Sequence, residues 1–111
     1  MTHSDNDIGA VLKRLEATIA ARKDAAQESS YTASLLAGGA QKCAKKFGEE
    51  AVEAALAAVG GDTAHLTEEA ADVLYHLLVM LAQGNVSLDD VAASLAAREG
   101  LSGLEEKARR P

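Results

Sequence analysis

Six acidic residues fall into two short clusters: Glu49, Glu50 and Glu53, then Glu68, Glu69 and Asp72. On a helix, residues three apart are neighbours on one face. Glu50/Glu53 and Glu69/Asp72 are therefore two pairs, each spanning about 4.5 Å of rise. Fifteen residues separate Glu53 from Glu69, and they contain the turn signal Gly60-Gly61-Asp62. So short a connection makes the two helices antiparallel neighbours. Positions 53 and 69 lie eight residues either side of 61, and positions 50 and 72 lie eleven either side. The four carboxylates stand at matching heights, and they converge if the rotations of the helices match too.

Converging carboxylates repel one another and lose solvation. Water relieves this if the groups splay outward; a bound divalent cation relieves it if they do not. Oxygen-only ligands favour hard ions, and Mg2+ keeps several waters and takes its remaining ligands from phosphates. A carboxylate-held Mg2+ in an open cleft is the equipment for hydrolysing a polyphosphate, because it offsets developing charge and lowers the pKa of an attacking water. The plain alternative is a solvated acidic face. Against it stand the mirror symmetry about the turn and the lack of any basic residue three or four positions after Glu50 or Glu53. A ferritin-like di-iron centre needs Glu-x-x-His pairs. The pairs here are Glu-x-x-Glu and Glu-x-x-Asp, which favours hard-metal chemistry over iron.

Lys42, Lys45 and Lys46 precede the first acidic cluster. Lys45 and Lys46 are candidates for holding a substrate phosphate as point charges. The alternative for Lys46 is an i,i+4 ion pair with Glu50, worth ~0.3–0.5 kcal/mol. His76 lies one turn beyond Asp72 and is a candidate for supporting the metal ligands or stacking on a base, against the plainer role of a satisfied core residue. Tyr75 reads as a packing or subunit-interface residue, and Cys43 as a small buried one. His3 and His65 have no evident partner. Lys107, Arg109 and Arg110 could reach the cleft of a partner subunit or remain a solvated basic tail.

Helices must position these groups. Ile8, Val11, Leu12, Leu15 and Ile19 recur at helical spacing, predicting a first helix from about 8 to 26 with Ser4 or Asp5 as its N-cap. A short helical turn follows over YTASLLA, ended by Gly38-Gly39. Major helices are expected over roughly 41–59 and 63–83, the latter capped by Asp62 or Thr63. Ser87 with Asp90 resembles a capping box that opens a fourth helix to about Arg98. A last turn is expected from Gly103 to Arg109. Residues 1–7 read as a frayed start, and the whole of 1–111 as one domain. In the third helix Leu66, Ala70, Val73, Leu74, Leu77, Leu78 and Leu81 form a core stripe, yet Val79, Met80 and Ala82 fill much of the opposite side. A helix apolar nearly all round is buried on more than one face, which predicts a homodimer.

Composition agrees. The chain is 48% apolar and only 3% aromatic, and alanine (24) and leucine (14) dominate. Both are strong helix formers, whereas sheet needs β-branched and aromatic side chains. The expected fold is an all-α antiparallel bundle of four to five helices, completed by dimerisation. The net charge of −6 argues against binding nucleic acid or anionic membrane through bulk charge. The single cysteine makes no internal disulfide or Cys-based metal framework. No signal peptide or membrane span is apparent, and a cytoplasmic location is expected.

At its carboxylates the sequence resembles the all-α NTP pyrophosphatase superfamily, whose signature is E-E-x-x-E, a spacer, then E-x-x-D. The match is Glu49-Glu50-x-x-Glu53 with Glu69-x-x-Asp72. The blocks SYTASLLAGGAQKCAKKFGEEAVEAALAA, EEAADVLYHLLVML, VSLDDV and GLEEKARR are similar, more narrowly, to the phosphoribosyl-ATP pyrophosphatase family, over residues 8–109. The resemblance implies Mg2+-dependent hydrolysis of phosphoribosyl-ATP to phosphoribosyl-AMP and pyrophosphate, the second step of histidine biosynthesis, by the stand-alone form of the enzyme. It implies that Glu50, Glu53, Glu69 and Asp72 bind the metal. Glu49 and Glu50 are the catalytic candidates, with Glu49 helping to bind or orient a second metal or the water; the general base stays open. Two rivals remain: a house-cleaning hydrolase of ordinary or damaged NTPs using the same carboxylates, and a non-catalytic helical dimer with a solvated acidic face.

Overall fold

Four side-chain caps, together with left-handed glycines at 39 and 61, set the helix boundaries. The structure, a computed structural model, describes residues 3–100. Five helices appear: α1 (Ile8–Ala21), α2 (Tyr31–Ala37), α3 (Gly39–Gly60), α4 (Thr63–Gln83) and α5 (Leu88–Ala96). Short 3-10 turns cover His3–Asn6 and Gln27–Ser29. No strand occurs among the described residues, so the fold is all-α as expected. The expected turn at Gly103–Arg109 lies outside the described residues.

The caps correct several boundaries. Asp7, rather than Ser4 or Asp5, caps α1, its Oδ2 accepting from the Ala10 N–H at 3.3 Å. Helix α1 ends at Ala21 instead of about 26, because Arg22 and Ala25 turn back onto Ile19 and Arg22 through tighter three-residue bonds. Asp62 caps α4 through the His65 N–H at 3.1 Å. The capping box of α5 is formed: Ser87 Oγ accepts from the Asp90 N–H, and Asp90 Oδ2 from the Ser87 N–H, both at 3.0 Å. These bonds hold the Asp90 carboxyl below its usual range. The helix stops two residues short of Arg98, where Arg98 N–H bonds Leu95 in a closing turn.

Helix α4 is the centre of the packing, touched by α1, α2 and α3. The core cluster is Ile19, Leu35, Cys43, Leu78 and Val79, one or two residues from each of these helices. Val79, expected opposite the stripe, is thus a central core residue, and Ala70, expected within it, is exposed. The cause is uneven cover: Tyr75, Met80, Leu81 and Ala82, toward the C-terminal end of α4, pack against the core cluster, whereas Ala70 near its start does not. Cys43 is buried as expected; burial pushes its thiol up, and its S–H lies 3.2 Å from the Leu35 carbonyl oxygen. Helix α5 is tied back to α1 by the Leu88 N–H on Glu16 Oε2 (2.8 Å) and by Lys13 on Asp89 (2.6 Å).

Candidate metal centre

The register of α3 against α4 is fixed at Gly61, whose φ of 77° lets the chain reverse within one residue. Asp62 then restarts the helix. Glu50 and Asp72, eleven residues from that pivot, meet across the helix pair as the sequence predicts. Glu50, Glu69 and Asp72 offer three ligand oxygens that all lie within 4.8 Å of one another. Glu53 stands beside them, near enough for its charge to raise the carboxyls of both Glu50 and Glu69.

Electrostatics confirm the crowding. Partial burial first, and the Glu53 carboxylate second, raise the carboxyl of Glu50; His76 acts in the opposite direction. The same two causes, in the same order, raise Glu69, with His65 opposing. Only 14% of the Glu69 side chain is exposed. Its Oε1 lies 3.5 Å from His65 Nε2, but its Oε2 is buried with no hydrogen-bond partner among the described residues. An unpartnered buried carboxylate oxygen is costly, and here it belongs to a cluster of oxygen-only donors with no lysine or arginine ion-paired to it among the described residues. That donor set fits a hard divalent cation. An open cleft of about 530 Å³, lined by Glu53, Leu56, Ala57, Asp62, His65 and Glu69, gives access to it.

The other candidates are placed differently. Glu49 lies outside the trio and pairs with Lys46, whose Nζ is 3.3 Å from Glu49 Oε1. The ion pair of Lys46 is therefore with Glu49 and not with Glu50. Glu68 is exposed outside the trio. His76 is buried at 6% exposure, and both ring nitrogens are occupied. Nδ1 lies 2.8 Å from the Asp72 carbonyl oxygen, which can only accept, so Nδ1 carries the proton. Nε2 is then free to accept from the Tyr31 hydroxyl at 3.2 Å. Tyr75 packs on the same group, edge-on to His76 with ring centroids 4.9 Å apart, and its hydroxyl bonds Thr32 Oγ1. His76 thus fastens α2 to the turn of α4 that carries Asp72.

Two residues near the centre were not expected from sequence. His65 stands four residues before Glu69, a spacing that signals the contact once α4 is assigned. Tyr31 carries no comparable signal, since its partner is 45 residues away. Lys107, Arg109 and Arg110 lie outside the described residues.

Comparison with known proteins bears on this arrangement. The profile of a family described as Phosphoribosyl-ATP pyrophosphohydrolase matches residues 12–99. A phosphoribosyl-ATP pyrophosphatase of Dinoroseobacter shibae is 68% identical over 100 residues, covering 90% of this chain and 98% of that one. Proteins of the same name from Paracoccus denitrificans (65% over 99 residues; 89% and 92% covered) and Ruegeria pomeroyi (62% over 101 residues; 91% and 96%) are similarly close.

Proposed function

The chain belongs to the phosphoribosyl-ATP pyrophosphohydrolase family, and from that premise we infer that it hydrolyses phosphoribosyl-ATP to phosphoribosyl-AMP and pyrophosphate, the second step of histidine biosynthesis. Water adds at one phosphorus of the α–β bridge, the bridging P–O bond breaks, and pyrophosphate leaves. The observation that most supports this chemistry at the α3–α4 cleft is the convergence of Glu50, Glu69 and Asp72 within 4.8 Å, with Glu53 alongside.

These four carboxylates would hold Mg2+, which when bound offsets charge on the phosphates and acidifies an attacking water. Their own part is to fix the position of that charge on two helices locked by the Gly61 turn. Glu49 and Glu50 are the proposed catalytic pair: Glu50 belongs to the trio, and Glu49 stands at its lysine-facing side to orient the water or a second ion. Lys45 and Lys46 hold substrate phosphate, Lys46 being kept in place by Glu49. His76 supports Asp72 through the backbone of α4. The working form is a homodimer of single-domain chains (1–111), placed in the cytoplasm; no helix among the described residues is long and apolar enough to cross a membrane. Supporting the dimer, buried apolar residues are few among the described residues, while Val52, Leu56 and Val59 expose apolar surface along α3.

The test compares turnover of phosphoribosyl-ATP with that of ATP and dNTPs, for the native chain and for Glu53→Gln and Asp72→Asn. Preference for phosphoribosyl-ATP, lost more than ~100-fold in both variants with helix content intact, supports the reading. Preference for plain NTPs points to the house-cleaning hydrolase. No pyrophosphate release from any nucleotide points to the non-catalytic dimer.

A further inference from the structure

Helix α3 differs from the other four in its start. Asp7, Ser30, Asp62 and Ser87 cap α1, α2, α4 and α5 with a side chain, whereas α3 opens on Gly38 and Gly39 with no side-chain cap. Beside this uncapped first turn lies a cleft of about 610 Å³ lined by Gly38, Gln41, Lys42, Lys45, Lys46 and Glu49. Three ammonium groups face one carboxylate there, and Lys46 already engages that carboxylate. Lys45 has no ion pair among the described residues. Lys42 is held in place: its Nζ donates to Ser34 Oγ at 3.2 Å, and its stem lies flat over Gly38. A Cβ on Gly38 would come within 2.2 Å of Lys42 Cδ and 2.7 Å of its Cβ, so any larger residue there displaces the lysine. Gly38 is thus a bare floor that sets the direction of Lys42. Free first-turn N–H groups and two or three lysine ammoniums together suit a phosphate dianion.

The cleft lies on the same side of α3 as the acidic centre, since 42, 46, 49 and 53 follow one another at three- and four-residue steps. Lys42 and Glu50 are eight residues apart, about 12 Å of helix. Phosphoribosyl-ATP is anionic at both ends: a triphosphate on one ribose and a monophosphate on a second, with the purine between. Ordinary NTPs lack the second phosphate. We propose that the Lys42/Lys45 cleft binds the monophosphate of the phosphoribosyl group while the carboxylates serve the triphosphate, and that Gly38 is a positioning residue for Lys42. Substrate choice within this fold is then made at the start of α3, away from the bond that breaks. This inference rests on the reading given under Proposed function.

The experiment measures kcat/KM with Mg2+ for phosphoribosyl-ATP and for ribosyl-ATP, the same nucleotide without the monophosphate. Native protein, the double variant Lys42→Gln/Lys45→Gln and Gly38→Ala are compared, with circular dichroism as the check on folding. Each charged hydrogen bond lost is expected to cost roughly tenfold. Native protein then favours phosphoribosyl-ATP by about 100-fold, carried mainly by KM, and the double variant reduces that ratio to within a few-fold of one. Gly38→Ala moves the ratio the same way. An equal ratio in native protein and double variant overturns the inference but leaves the hydrolase reading standing, provided Glu53→Gln is inactive. Native protein that hydrolyses neither nucleotide overturns both.

Discussion

Glu53 on α3 crowds the carboxylate of Glu69 on α4, and the crowded group keeps one oxygen, Oε2, buried with no hydrogen-bond partner among the described residues. The pair sits eight residues either side of Gly61, so the turn that joins the helices also forces the two charges together. Such an arrangement stores repulsion that a bound cation would relieve.

Burial of Glu69, together with that repulsion, has a pH signature. The folded carboxyl of Glu69 titrates above its ordinary value of 4.5. The folded state therefore holds more protons than the unfolded state between the two values, and stability falls as pH rises through that window. Glu69→Gln removes the penalty. In the presence of EDTA the variant is expected to melt above the native protein at pH 7, with the advantage disappearing by about pH 4. A variant that melts below the native protein at pH 7 in EDTA would show that the carboxylate is not strained.

Cation binding should reverse the order. A ligand that binds only the folded state adds stability of RT ln(1 + [L]/Kd), about 2.7 kcal/mol at a hundredfold excess over Kd. Titrating Mg2+ into the native protein is expected to raise Tm in a logarithmic, salt-corrected manner, and Asp72→Asn is expected to flatten the response. Ca2+ and Mn2+ serve as comparisons, and Na+ at matched ionic strength as the control. An Asp72→Asn curve that overlays the native one removes Asp72 from the ligand set.

The bond between Tyr31 and His76 joins α2 to α4 at the level of Asp72. Tyr31→Phe deletes one hydrogen bond at a partly exposed site and is expected to cost about 1 kcal/mol. His76→Leu leaves the Tyr31 hydroxyl without its acceptor and alters a buried ring contact with Tyr75, an expected loss of ~1–3 kcal/mol. Urea denaturation of both variants gives the comparison, and a smaller loss for His76→Leu contradicts the role assigned to the imidazole.

Much of this was legible in the sequence because it follows from spacing along one or two helices. The α4 boundaries, the α5 capping box and the mirrored carboxylates all come from residues a few positions apart, or related through one short turn. Where sequence reasoning failed, the deciding contact was distant or sterically subtle. Val79 is core because it packs in one cluster with Ile19 of α1, Leu35 of α2 and Cys43 of α3, which the periodicity of α4 alone does not reveal. Lys46 chose Glu49 over Glu50 because Glu50 turns inward to the trio. The dependence of Lys42 on a bare Gly38 needs coordinates, since the pattern only marks that glycine as a helix stop.

The exposed row on α3 carries the last prediction. Val52, Leu56 and Val59 are 60%, 66% and 87% exposed and follow at steps of four and three, so they form one apolar strip. Leu56 also lines the cleft that holds Glu53 and Glu69. A second copy seated on this strip would both cover apolar surface, at ~25 cal/mol per Å² buried, and wall the acidic centre. Leu56→Glu places a charge in the middle of the strip without touching the buried core. Analytical ultracentrifugation at micromolar concentration is expected to show a dimer for the native chain and a monomer for the variant, with pyrophosphate release falling in parallel. A Leu56→Glu protein that remains dimeric moves the interface elsewhere, and a native chain that sediments as a monomer removes it.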